Sequence, residues 1–166
     1  MISNSDSALA AISRYTPVSW EQIPDLGLYM DQVITFITRT YEPLYGESTK
    51  GYLSAPMINN YVKNKLIPRP VGKKYNRMQI AMLIMIVALK RVCTMEDIHS
   101  MLSFEEEADV ENLYALFCER QAKSIHDMIA TRSALNRAMD CAIFSSSYRA
   151  GCEWILHGEL PEEEEK

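Results

Sequence analysis

The 166 residues suit one domain or a small module with an appended helical region, and a hydrophobic content of 48 % is too high for wholesale disorder. Four scattered cysteines (Cys93, Cys118, Cys141, Cys152) form no C-x-x-C pair and the three histidines stand alone, which argues for a reducing compartment and against a disulfide framework or metal centre. The net charge of -5 conceals a segregation: Lys50 to Met95 holds nine basic residues and no acid, while the rest has eight basic against 22 acidic residues.

The opening MISNSDSALAAISRY lacks the basic start and apolar run of a signal peptide. Residues 1–27 read as an N-terminal arm, in which Ser19 to Gln22 can form one turn and Trp20 an anchor on the core. Met30, Val33, Ile34, Ile37 and Tyr41 then share one helical face and predict a helix from about Leu28 to Tyr41, ended by Pro43 and Gly46. Ser54 is the expected N-cap of a short helix with Pro56 in its first turn, closing near Lys65 because Pro68 and Pro70 forbid continuation.

Val71 to Tyr75 is a turn able to form a small hairpin or wing around Gly72. Asn76 caps a core helix running to about Val92. Its run Met78 to Leu89 is 12 residues long, interrupted only by Gln79, and far short of the ~20 that span a bilayer. A cytoplasmic protein without membrane contact is expected. Thr94 and Asp97 signal a capping box for a further short helix through Leu102. Beyond it, Glu105, Glu106 and Glu107 suit a helix start. Two apolar stripes follow, Val110, Leu113, Tyr114 and Phe117 in the first, then Ile125, Met128, Ile129, Leu135 and Met139. The divisions are therefore an arm over 1–27, a central unit holding most of the basic segment over 28–102, a helical region over 103–158 and a solvated acidic tail over 159–166.

The basic segment carries the functional reading. A helix-turn-helix needs a short helix with one packing face and one exposed face that enters the major groove. Here Ile58, Tyr61 and Val62 supply packing, while Asn59, Asn60 and Lys63 remain for hydrogen bonds. Asn is a bidentate partner for adenine, and Lys reaches guanine or phosphate. Lys65, Arg69, Lys73, Lys74 and Arg77, with Tyr75 among them, would hold phosphates and set register. No nucleophile–base pair, phosphate loop or carboxylate pair appears, so neither an enzyme nor a cofactor is expected.

These residues resemble a family. MINNYVKNKLIPRP is similar to the recognition helix and turn of the MerR-type winged helix-turn-helix regulators, roughly T-L-R-Y-Y-E-x-x-G-L-L-x-P. Met57 falls on the Thr, Ile58 on the Leu, Tyr61 on the second Tyr and Leu66-Ile67 on the Leu pair. KKYNRMQIAML resembles the wing and next helix, with Tyr75, Asn76, Ile80 and Leu83 at matched positions, and TMEDIHSML the helix after it. Asn59 and Asn60 replace an Arg and a Tyr of that pattern, and Lys65 stands at its Gly. The whole chain, including WEQIPDLGLYMDQVI, resembles a bacterial family of unknown function carrying such a module.

The resemblance implies DNA contacts by Lys63, Lys73, Lys74 and Tyr75, with dimerisation through later helices. The expectation is an all-α protein with a MerR-like winged helix-turn-helix and a helical C-terminal dimerisation or effector region. It would act as a homodimeric transcriptional regulator on double-stranded DNA. A small-molecule effector would need a pocket among the C-terminal helices. The alternative is a protein–protein interaction adaptor on the same scaffold, without DNA binding, favoured by the missing recognition-helix arginine.

Overall fold

The computed structural model describes residues 9–46, 51–103, 107–130 and 137–158. Lys50, Glu105, Glu106, Leu135 and the acidic tail, which the sequence marks, lie outside the described residues. The rest is mostly helical with one two-stranded ladder. In chain order come a 3₁₀ turn Trp20–Gln22, strand β1 Leu28–Tyr29, α1 Met30–Tyr45, α2 Ala55–Lys63, strand β2 Lys74–Tyr75, α3 Arg77–Leu89, α4 Met95–Met101, α5 Glu107–Ala130 and α6 Arg137–His157.

Helix α3 is the centre. Every residue from Gln79 to Val87 is buried, because its apolar side chains run right round the helix and leave no face for water. Its N-terminus is fixed by a capping box: Gln79 N donates to Asn76 Oδ1 at 2.9 Å, and Asn76 N to Gln79 Oε1 at 2.8 Å. The remaining donor of this buried amide, Gln79 Nε2, gives 2.9 Å to the Pro68 carbonyl and so ties the proline-bracketed loop to the helix. At the other end the chain leaves α3 at Leu89, in a turn over Lys90 to Val92, three residues before the expected limit.

The first helix starts later and ends later than its apolar spacing predicts. Leu28 and Tyr29 are drawn into an antiparallel ladder with Tyr75 and Lys74, so the helix opens at Met30. Pro43 is tolerated near its end, where few backbone bonds are left to lose, and Gly46 at φ +64° closes it. The segment read as an arm also differs. Tyr15, Trp20 and Ile23 belong to the core, Tyr15 stacks on Tyr41, and the hydroxyls of Tyr15 and Tyr114 donate to Gln121 and the Val18 carbonyl. A single cluster of buried side chains therefore takes in that segment, α1 to α4 and the first half of α5, through Val110 and Tyr114.

Helix α6 is joined to this body by a buried carboxylate. Asp97, 2 % exposed, sits in the capping box of α4, with Thr94 N at 3.0 Å from Oδ2 and Asp97 N at 3.2 Å from Thr94 Oγ1. Arg149 Nη1 of α6 donates to Oδ2 at 2.9 Å and to the Val92 carbonyl at 2.7 Å, and His157 Nε2 lies 2.7 Å from Oδ1. The His157 imidazole, then the Thr94 amide and hydroxyl, then Arg149 hold the Asp97 carboxyl far below its ordinary range. The folded state thus keeps the charge where the unfolded chain, titrating near ~3.9, has taken up a proton. The resulting stabilisation is present above that value and is lost as pH falls through the folded one. Thermal melts should show Asp97→Asn destabilised at pH 7. Its deficit should shrink steadily as pH is lowered below ~4, where wild type loses the same interaction.

Candidate nucleic-acid interface

Helix α2 divides as its sequence predicts. Ile58 and Tyr61 are buried and Val62 half-buried, while Asn59, Asn60 and Lys63 face solvent. Ser54 holds the N-cap position in extended backbone, although its hydroxyl makes no cap bond, and Pro56 sits in the first turn. Asn60 accepts from Asn64 Nδ2 at 3.2 Å, whereas the Asn59 amide has no partner among the described residues.

The helix ends two residues before Lys65, in a Schellman turn. Leu66 N donates to Tyr61 O at 2.9 Å and Lys65 N to Val62 O at 3.1 Å, with the buried side chains of Leu66 and Tyr61 sealing the turn. This geometry requires a left-handed residue between them, normally glycine. Lys65 takes that place at φ +59°. The tight turn after Val71 repeats the pattern. Lys74 N bonds Val71 O at 3.0 Å, and both central residues, Gly72 at φ +57° and Lys73 at φ +65°, are left-handed, as a type I′ turn demands. Lys65 and Lys73 are the non-glycine residues with positive φ among those described, and both belong to the basic island. Each left-handed lysine costs about 1 kcal/mol.

Lys63, Lys65 and Arg69 are brought together around a cleft of about 380 Å³ whose apolar lining includes Leu66, Ile67, Met82 and Leu102. Leu102 and Ser103 reach it from the end of α4, which no local motif marks. Lys73 and Lys74 stand exposed at the tight turn, with Lys74 Nζ 5.2 Å from the centre of the Tyr29 ring. Gly27 keeps Lys74 in this place: a Cβ there would lie 2.9 Å from Lys74 Cβ, too close to fit. None of these five cations pairs with a carboxylate among the described residues.

Two expected contact residues are corrected. Tyr75, 2 % exposed, faces the core because β2 pairs with β1 and pleating turns its side chain inward, beneath Lys74. Arg77 is engaged by its own chain: Nε donates to the Ile23 carbonyl at 2.9 Å, Nη2 lies 3.9 Å from Asp25, and the guanidinium stands 5.9 Å from the Trp20 ring. It pins the N-terminal segment to the start of α3. At the other end of α3, Lys90 Nζ donates to the Tyr52 carbonyl, and Arg91 lies over the rings of Tyr45 and Tyr52 at 4.2 and 5.0 Å. Three charges of the island thus fasten loops, and five face outward.

The family model for a domain of unknown function, DUF1836, matches residues 18–127, which is 110 of the 166, and the chain belongs to that family. The matched span covers the shared core and the basic island and stops before α6. No curated protein and no solved structure matches the chain.

The left-handed conformation at Lys65 makes a direct prediction. Lys65→Gly removes the steric cost and should raise unfolding free energy by about 1 kcal/mol in urea titrations with an unchanged m-value. A loss of stability would mean that the lysine makes an interaction within the fold.

Proposed function

We propose that this member of the DUF1836 family is a bacterial DNA-binding transcriptional regulator. In this reading α1 and α2 are the helix pair of a MerR-like winged helix-turn-helix, α2 enters the major groove, and the turn at Val71 to Lys74 is its wing. Asn59, Asn60 and Lys63 meet base edges, while Lys65, Arg69, Lys73 and Lys74 hold phosphates and set register. The protein acts as a homodimer through its C-terminal helices, presenting two copies of α2 to a pseudo-palindromic site.

One observation carries the reading. At both left-handed positions where glycine would be the more stable choice, the chain places a lysine directed at solvent. Strain kept at an exposed cation with no partner in the fold is the mark of a charge needed for something outside it. Separation of the charges adds to this. The acids lie outside Lys50 to Met95, so five outward cations create a positive field unopposed from their own segment. The alternative, a protein–protein adaptor, is favoured by the outer face of α2, where two asparagines accompany a single lysine.

Salt dependence separates the two. DNA binding should weaken with a slope in log K against log salt of about -0.9 for each neutralised phosphate, hence about -3.6 per protomer for the four phosphate contacts of Lys65, Arg69, Lys73 and Lys74. The double variant Lys73→Glu, Lys74→Glu should reduce the magnitude by about 2, and Lys65→Gly by about 1 despite its added stability. Fluorescence anisotropy with a mixed-sequence duplex measures both. No binding at ~50 mM salt, or a slope indifferent to these substitutions, moves the protein to the adaptor class.

A further inference from the structure

The end of α6 and the cleft beside Lys65 lie at opposite ends of one short helix, α4. Arg149 and His157 turn inward to Asp97 at its start, which leaves Phe144, Tyr148, Trp154 and Ile155 on the outer side of α6, 55 to 86 % exposed. Those contacts fix where α6 ends against the body. Its last turn is closed by Gly158 N on the Trp154 carbonyl at 2.8 Å, and His157 Nε2 lies 2.7 Å from Asp97 Oδ1. Residues 159–166 therefore leave the body beside the start of α4. Leu102 and Ser103, at the other end of α4, form one wall of the cleft that Lys63, Lys65 and Arg69 surround. Asp97 and Leu102 are five residues apart, about 8 Å at 1.5 Å per residue.

We propose that this cleft is a docking site for the chain's own acidic segment, residues 159–166, which occupies it and withholds its cations from DNA. The contact is argued from the fold and the charges; its effect on DNA rests on the function proposed above. Three features single out this occupant. The first is charge. Residues 159–166 are ELPEEEEK, while Lys63, Lys65 and Arg69 have no carboxylate partner among the described residues. The second is reach. An extended residue spans ~3.3 Å, so Glu162 to Glu165 can stand up to ~13 to ~23 Å from Gly158, farther than the two ends of α4 are apart. The third is the lining. The cleft, of about 380 Å³, includes the apolar side chains of Leu66 and Leu102, which a phosphate backbone has no group to match. Leu160 matches them, and at two residues past Gly158 it reaches up to ~7 Å. Such a contact need not be strong. A short tether holds the segment at a millimolar effective concentration, so a dissociation constant of ~0.1 mM fills the cleft about nine times in ten. DNA must then displace the segment, and its apparent affinity falls about tenfold.

Backbone amide spectra of the full chain, without DNA, test the contact against a variant carrying Glu162→Gln, Glu163→Gln, Glu164→Gln and Glu165→Gln. The shifts should differ at residues 62–69 and at Leu102 and Ser103, and ~0.5 M salt should bring the wild type towards the variant by screening. Differences confined to residues 154–166, or spread evenly over the basic island, overturn the proposal. Differences that grow with protein concentration overturn it as well, in favour of the acidic segment of a second copy. Fluorescence anisotropy with a mixed-sequence duplex at ~50 mM salt reads the consequence: the variant should bind about tenfold tighter. Equal affinity overturns the withholding of DNA. Tighter binding without the amide differences overturns the contact and makes the segment a distant repulsive charge. Amide differences as expected in a protein that ignores duplex DNA uphold the contact and remove the regulator reading.

Discussion

Burial of α3 on every side is the constraint from which the rest follows. A helix with nine consecutive buried residues cannot lie at a surface, so other elements must enclose it. The N-terminal segment and α1 cover one part, α5 packs along another, and α2 with the proline-bracketed loop closes a third. The buried polar residue within the run, Gln79, spends its amide on the cap of α3 and on the Pro68 carbonyl. That bond places the loop bearing Arg69, and hence much of the exposed basic surface, by reference to the core.

The same constraint sorts the charges. Cations at the two ends of α3 are close to chain that must be held against it. Arg77 fastens the Ile23 carbonyl at one end, and Lys90 and Arg91 fasten Tyr52 and Tyr45 at the other. Cations beyond the reach of α3 have no such employment. Lys65 and Lys73 even occupy backbone conformations that oppose their side chains. A positive segment that merely balanced acidic neighbours would show paired charges and relaxed backbone; none of these five pairs with a carboxylate among the described residues, and two of them, Lys65 and Lys73, are strained.

Local signals were enough for the parts of the fold that local physics decides. The apolar run marks α3, Asn76 and Thr94 mark its start and that of α4, and the prolines bound α2. Three features stayed hidden because each depends on a contact far along the chain. Leu28 and Tyr29 read as helix until Tyr75 and Lys74 offer a ladder. Tyr75 and Arg77 look like surface contacts until that ladder buries the first and Ile23 engages the second. The outward apolar face of α6 is set by Asp97, more than fifty residues earlier. The candidate site was legible as a list of residue types at α2 and the tight turn. The convergence of Lys63, Lys65 and Arg69 on one cleft, and the strain at Lys65, needed coordinates.

Contact between DNA and the surface formed by α2 and the tight turn is tested most directly by a measurement that locates it. Backbone amide shifts of the labelled protein should be followed as a duplex is added. Perturbations should concentrate at residues 59–65, 69 and 71–74, leaving α6 and the outer face of α5 still. Shifts confined to the C-terminal helices, or none at protein concentrations far above the expected dissociation constant, would contradict it.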